Sequence, residues 1–489
     1  MADSTLHFPR AALKASALVL ALSACTVGPD FVRPQVPVPG SFVEAPQTAI
    51  VADGQASRAS ADARFWESFG DPQLTALAEQ ALAANHDLRI ALANYDRANA
   101  LLRGAKFDRI PTVTASAGAS DTRASAGQMP GAARGDRDAE TYDAGIHASW
   151  ELDLFGRIRR SVEAGRADAA AGAADLAAAQ VAIVGDVART YFGLRGLQER
   201  LRVARENVAN QRETLRLVDA RLQAGRGTEF DTARARAQFE ATSARIPALE
   251  AEVAVAMHRL AVLVGKAPGE LVGELAPPGA LPRLPGRLDP GTPGDLLARR
   301  PDVAAAEQRL HAATARIGVA TADLFPRFTL GGLVGSQAID TGALFERDSE
   351  TRVVALGIDW SFLDAGRVRA RIAAADADAA GALARYEQAV LHALEDTENA
   401  LVRHARARVE DAHLHRAAID SARAAELARI RFEAGATGLF EVLDAERTRL
   451  QAQDAFAAAR TRTAISAVAL YQAMAGGWPN QTPTKGTNT

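Results

Sequence analysis

Two kinds of hydrophobic spacing alternate along this chain, and the alternation occurs twice. Between residues 142 and 153, Tyr142, Ala144, Ile146, Ala148, Trp150 and Leu152 alternate with Asp143, Gly145, His147, Ser149, Glu151 and Asp153. Further on, Val354, Leu356, Ile358, Trp360 and Phe362 alternate with Ala355, Gly357, Asp359 and Ser361. Period two predicts strands. Each run is preceded by a second candidate strand. One follows Pro111 (residues 112–120), and one follows Pro326, where Phe328, Leu330 and Val334 share a face. The spacing then turns helical. The stretch 157–223 has no proline, and Leu197, Leu201, Ala204, Val208, Gln211, Leu215, Val218 and Leu222 are spaced alternately by four and three, the coiled-coil pattern. About 67 residues at 1.5 Å each predict a helix of about 100 Å.

The two halves are copies. Trp150 matches Trp360 at an offset of 360 − 150 = 210, and Arg221-Leu-Gln-Ala-Gly225 matches Arg431-Phe-Glu-Ala-Gly435 at the same 210. A period this long indicates a duplicated domain rather than a solenoid unit. In the first copy, a helix over 85–106 precedes the strands. A turn at Gly225-Arg-Gly227-Thr follows the long helix, and a returning helix runs from about 229 to 264, with a kink or break expected at Pro247. In the second copy the corresponding helices are 301–324 and 367–433. The turn is Gly435-Ala-Thr-Gly438, and the return ends near 474. The predicted organisation is a signal peptide (1–24), an extended arm (25–65), a first repeat (66–265), a Pro/Gly-rich linker (266–294), a second repeat (295–476) and a disordered tail (477–489).

Arg10 and Lys14 precede an apolar run that ends at Leu22-Ser-Ala-Cys25, the form of a secretory signal. The run is too short for a membrane helix, and no stretch outside it is expected to reach the roughly 20 apolar residues of one. Cys25 is the sole cysteine among 489 residues, which excludes a disulfide framework. The segment resembles the bacterial lipoprotein box, which marks Cys25 as the lipidation site. An ordinary signal with an unmodified cysteine is the alternative. A net charge of −3 offers no basic excess for nucleic acid, and much of the 48% hydrophobic content is alanine, which favours close-packed helices.

Period two over about ten residues describes a transmembrane strand, and equally one side of a soluble sheet. The lengthy polar segments 121–141 and 336–351 suit outer loops of a barrel. Trp150 and Trp360 then fall at the inner membrane interface, although a lone Trp also suits core packing. Four strands cannot close a barrel, and open edges are not tolerated in lipid, so a membrane reading requires an oligomer. Enzyme signals fail. Gly265-Lys266 lacks the rest of a phosphate loop, Gly225-Arg-Gly227 sits between helices, and His413 and His415 are two apart on a helix, which argues against a metal pair. No cofactor or metal is expected.

The lipobox, the Gly28-Pro-Asp-Phe-Val-Arg-Pro34 arm, the duplicated strand–helix plan and the two Gly turns resemble the outer-membrane factors of tripartite efflux systems. These are the TolC/OprM-like proteins, and the likeness is to their NodT-type lipoprotein branch. It covers nearly the whole mature chain. It implies a mainly α fold with a transmembrane β part. The duplicated strand pairs and long hairpins of three chains would form a twelve-stranded barrel continuing into an α-helical periplasmic tunnel. It also implies a passive exit duct for drugs or other small toxic compounds, anchored in the outer membrane by lipid. A periplasmic adaptor and an inner-membrane pump of the resistance-nodulation-division type would be its partners. The tips at Gly225, Gly227, Gly435 and Gly438 would receive the adaptor. In Gly438-Leu-Phe-Glu-Val-Leu-Asp-Ala-Glu-Arg447, the resemblance makes Phe440 an apolar constriction, Asp444 an inward carboxylate and Arg447 its partner. The family often has Leu at the position of Phe440. From spacing alone, an exposed local ion pair is the favoured reading of Asp444 and Arg447, and the resemblance reverses that preference. Glu433 and Glu441 are expected to add negative potential at the entrance. The remaining alternatives are a type I protein-secretion channel of the same fold, a periplasmic coiled-coil scaffold or adaptor, and a periplasmic enzyme.

Overall fold

The computed structural model describes residues 26–43, 64–282 and 291–474. Cys25 and the signal segment, residues 44–63 of the arm, residues 283–290 of the linker and the tail from 475 lie outside the described residues.

Helices α1 (Pro72–Ala84) and α2 (His86–Phe107) lead to strands β1 (Thr112–Arg123) and β2 (Asp138–Leu152). Helices α3 (Arg157–Gln223), α4 (Glu229–Ser243) and α5 (Arg245–Leu263) complete the first half. After the short α6 (Val272–Leu275) and α7 (Pro293–Arg299), the plan repeats as α8 (Pro301–Ala322), β3 (Arg327–Ala338), β4 (Glu350–Asp359), α9 (Ala365–Glu433) and α10 (Leu439–Ala473). The start signals are local. Asp71 accepts from the amides of Gln73 and Leu74 with Pro72 at the first helical position, and Thr228 and Thr292 accept from Asp231 and Asp295.

Three expectations shift. The returning helix breaks after Ser243 rather than at Pro247. Proline removes the bond to the carbonyl four residues earlier, and that carbonyl belongs to Ser243. Strand β4 ends at Asp359, so Trp360 and Phe362 lie beyond it, and Phe362 opens a short 3-10 turn. One window of the alanine-rich α3 is apolar enough, by length and composition, to cross a membrane, contrary to the expectation that none outside the signal would be.

The chain divides into two compact units. The first comprises the described residues of 1–35, 94–173 and 305–387 and contains the sheet; the second comprises those of 36–93, 174–304 and 388–489 and is helical. Helices α3 and α9 run through both.

In the first unit the four strands form one antiparallel sheet in the order β1-β2-β3-β4, which leaves β1 and β4 as edges. Register sorts the faces, because directly opposed residues share one. Ala115 faces Ile146, which faces Val334; Trp150 faces Leu330, which faces Leu356; Leu152 faces Phe328, which faces Ile358. One face therefore carries a continuous apolar band, yet Val113, Ile146, Val334, Val354, Leu356 and Ile358 are all more than half exposed. The other face carries Thr112, Thr114, Ser116, His147 and Ser149, with Ser116 Oγ 2.9 Å from His147 Nε2. Each Trp ties a strand end to the chain leaving the preceding helix. The Trp150 indole N–H donates to Arg109 O (3.1 Å), and that of Trp360 donates to Leu324 O (3.0 Å).

The arm docks in the same unit through its motif. The Val27 amide donates to Phe155 O (3.2 Å). The buried Arg160 guanidinium donates to Val27 O, Gly28 O and Asp30, while Phe31 stacks on His311 at 4.5 Å. Gly28 has φ +87°, and a Cβ there would lie 2.4 Å from the Gly318 Cα.

In the second unit the core gathers Trp66, Phe69, Leu74 and Leu77 against Val184, Val187, Tyr191 and Phe192 of α3 and Ala464, Val468 and Tyr471 of α10. Two helix ends meet helix starts there. Asn85 donates to Leu263 O (2.8 Å) and accepts from the Leu88 amide, joining α5 to α2. Arg300 does the same for α10 and α8. It donates to Ala473 O (3.2 Å) and pairs with Asp302 and Asp396, burial opposing its charge and the two carboxylates restoring it.

Gly28→Ala is expected to weaken arm docking by about 1–2 kcal/mol through the left-handed backbone alone. Hydrogen exchange at the Val27 amide should accelerate about tenfold or more. Gly40, with open space around its Cβ position, is the control. Equal exchange rates in the two variants would mean that the motif does not hold the arm.

Candidate functional site

The sequence candidates concentrate at the two hairpin turns, both in the helical unit. The turns are built alike. The Gly225 and Gly435 amides donate to the carbonyls of Leu222 (2.9 Å) and Phe432 (3.0 Å), and the next amides, of Arg226 and Ala436, donate to Arg221 and Arg431 (both 2.8 Å). This 6→1 closure is the Schellman end of a helix, and it needs a left-handed residue. Gly225 and Gly435 supply it at φ +71° and +74°. Gly227 and Gly438 are not left-handed, and Gly438 is the N-cap of α10 at φ −82°. The hairpins differ there. Thr228 caps α4 with its side chain, whereas α10 starts on a glycine with no side-chain cap.

All four helices meet behind the turns. Val218, Ala235, Phe432, Leu439, Val442 and Leu443 form a small buried cluster. Arg221 lies 3.8 Å over the Phe432 ring and donates to the Phe432 carbonyl (3.1 Å), tying the first hairpin to the second. Beside the cluster lies a shallow groove of about 290 Å³ lined by Arg234, Phe440, Leu443, Asp444 and Arg447, among others. Phe440 is 57% exposed, with the Arg234 guanidinium 4.9 Å over its ring. Arg447 donates to Asp444 at 2.5 Å, both side chains being about half exposed. The three residues carried by the resemblance thus share one groove. Glu433 is 3.7 Å from Arg429, which offsets its contribution to a negative entrance. Elsewhere on α9, His413 lies by Arg416 and His415 stacks on Phe456, so they make no pair. Among the described residues no cluster of His, Cys, Asp or Glu could hold a metal.

The predicted coiled-coil stripe is buried or half-buried throughout, but α3 buries a second stripe, including Val203, Asn207 and Thr214, because it packs on both flanks. On one side Arg205 pairs with Glu250 of α5; on the other Arg200 pairs with Asp454 of α10 at 2.7 Å. Sequence reasoning missed Glu446 on this second seam. It is 5% exposed, and burial pushes its carboxyl above the ordinary range, against the opposing pull of Thr214, Arg449 and Arg429. A polar Gln211 at a coiled-coil core position was the available signal.

The outer membrane efflux protein family profile matches residues 77–266 and 292–476. The chain belongs to this family. It is 32% identical to the outer membrane protein OprJ of Pseudomonas aeruginosa over 96% of each chain. It is 31% identical to nodulation protein T of Rhizobium leguminosarum bv. trifolii, over 88% of this chain and 89% of that one. The solved outer-membrane channel OprN superposes with a TM-score of 0.86 at 40% identity, covering 93% of this chain and 100% of that one. The fold class is that of trimeric outer-membrane channels, with the duplicated strand pair contributing to a barrel and the long hairpins to an α-helical tunnel. The chain is a channel protein of the outer membrane that extends into the periplasm, and its relatives are channels rather than enzymes.

With both partners about half exposed, the Asp444–Arg447 pair is expected to contribute less than about 1 kcal/mol to stability. A double-mutant cycle with Asp444→Asn and Arg447→Gln, read by denaturation in detergent, checks this. A coupling several times larger would mean that assembly removes the pair from water.

Proposed function

We propose that this chain is the exit duct of a tripartite efflux system of the resistance-nodulation-division type, carrying drugs or other small toxic compounds. The observation that supports it most is the sheet: one face is an exposed apolar band, and both edges are free among the described residues. In lipid every unpaired backbone group costs several kcal/mol, so further copies must close the edges. Three chains of four strands give twelve. In the helical unit, unpartnered apolar side chains such as Val255 and Val262 of α5 and Val409, Ile419 and Leu427 of α9 offer surfaces for the same copies.

Cys25 is the lipidation site in this reading, two residues before Val27, where the docked arm begins. The turns at Gly225, Gly227, Gly435 and Gly438 receive a periplasmic adaptor, which joins the duct to an inner-membrane pump. Trp150 and Trp360 sit at the inner interface. Phe440, Asp444 and Arg447 narrow the closed tip, and the α10 start, lacking a side-chain cap, is the part best suited to move. Transport is passive, with the energy supplied by the pump.

Cys25→Ser is expected to shift the protein from the outer-membrane fraction towards the periplasm and to abolish labelling by radioactive palmitate. Unlabelled wild-type protein would remove the anchor. Asp444→Ala is expected to raise single-channel conductance in planar bilayers severalfold, by freeing Arg447 and loosening the tip. Unchanged conductance and gating would take Asp444 out of the gate.

A further inference from the structure

We infer that Glu446 is a proton-binding site in the seam between the two hairpins, and that its protonation holds the closed tip together. The inference rests on the gate reading above.

The geometry carries it. Glu446 lies on α10, two residues from Asp444 but on the packed side of the helix. Its Oε1 is 3.0 Å from Thr214 Oγ1 on α3, and its Oε2 is buried with no hydrogen-bond partner among the described residues. Thr214 Oγ1 also lies 3.2 Å from the Asn210 carbonyl. A hydroxyl has one hydrogen, so it cannot donate to both. A protonated Glu446 satisfies both contacts, donating to Thr214 while Thr214 donates to Asn210. A carboxylate satisfies only one. On the same face of α3, three residues before Thr214, Gln211 is 2% exposed with neither amide atom hydrogen-bonded among the described residues, and no bond joins it to Glu446 there.

The charged groups acting on Glu446 are Arg449 on its own helix and Arg429 on α9, both favouring the carboxylate. Arg449 donates instead to Asn207 (3.0 Å), Arg429 lies by Glu433, and neither forms an ion pair with Glu446 among the described residues. Helix α3 presents Thr214, which does not titrate. Burial therefore outweighs the two cations, and the carboxyl titrates above its ordinary 4.5.

The sign follows. The packed seam binds the proton more tightly than an opened, hydrated one, so acid favours packing. The penalty on packing begins as pH rises past the ordinary glutamate value and is complete above the raised one. Each unit of elevation changes the open-to-closed ratio about tenfold per site. Opening and rising pH are linked.

The test uses the full-length purified channel in planar bilayers over a pH series that begins below the ordinary glutamate range and extends to about pH 8. Wild type should open more as pH rises, up to about tenfold in the open-to-closed ratio per unit of elevation. Glu446→Gln, close in shape to the neutral acid, should remain at the acid level throughout. A flat wild-type profile, or a Glu446→Gln profile like that of wild type, overturns the inference. Infrared difference titration gives a second reading: a protonated-carboxyl band that titrates in wild type and is missing from Glu446→Gln supports the site, and no such band overturns it. Asp444→Ala separates the two readings. If it raises conductance while Glu446→Gln keeps the wild-type profile, only the proton site falls. If it changes nothing while the Glu446 band titrates and Glu446→Gln is flat, the proton site stands and the assignment of Asp444 falls.

Discussion

A strand edge cannot be left open in lipid, and this chain has two. The sheet orders β1 to β4 side by side, so the edges are the first and last strands among the described residues. Folding within one copy cannot pair them. The exposed apolar band across the same sheet has no partner among the described residues either. Both features are costly for a monomer in water and consistent for one sector of a membrane wall. The length of α3 and α9 follows the same logic, since beyond the core of the second unit such helices continue along seams with neighbouring helices.

Duplication gives the two halves one architecture and leaves function to the departures from it. The Gly225 and Gly435 turns close with matching hydrogen bonds, and Trp150 and Trp360 fasten matching strand ends. The helix caps beyond the turns differ, as do the clamps where helices meet end to end: a neutral Asn85 in one case, a buried Arg300 with two carboxylates in the other. Polar residues collect on the α3–α10 seam, where first and second repeats touch: Asn207 bonds Gln453 and Arg449, and Thr214 bonds Glu446. Apolar packing alone would make that seam permanent. In the inference above, Glu446 makes it conditional on protonation.

Much of this was legible from residue spacing. The α3 bounds, both glycine turns, all four strands and the 210-residue offset were readable because they depend on local periodicity and on proline and glycine stereochemistry. The misplaced break near Pro247 was a matter of where proline acts, four residues upstream. The strand end before Trp360 was missed because alternation continues past the last ladder bond. The second buried stripe on α3, with Asn207 and Thr214 in it, was invisible to a pattern that assumed one partner helix.

By itself the sequence determined the elements, their duplication and which face of each strand is apolar; the need for other copies followed only once those strands were read as membrane-spanning. These follow from backbone stereochemistry and the periods 2 and 3.5. Tertiary structure decided which hairpin packs against which, that Phe440, Asp444 and Arg447 share a groove with Arg234 of the other hairpin, and that Glu446, two residues from an exposed aspartate, is sealed from water. Burial and the partners of a side chain depend on residues more than 200 positions away, and no local spacing carries that information.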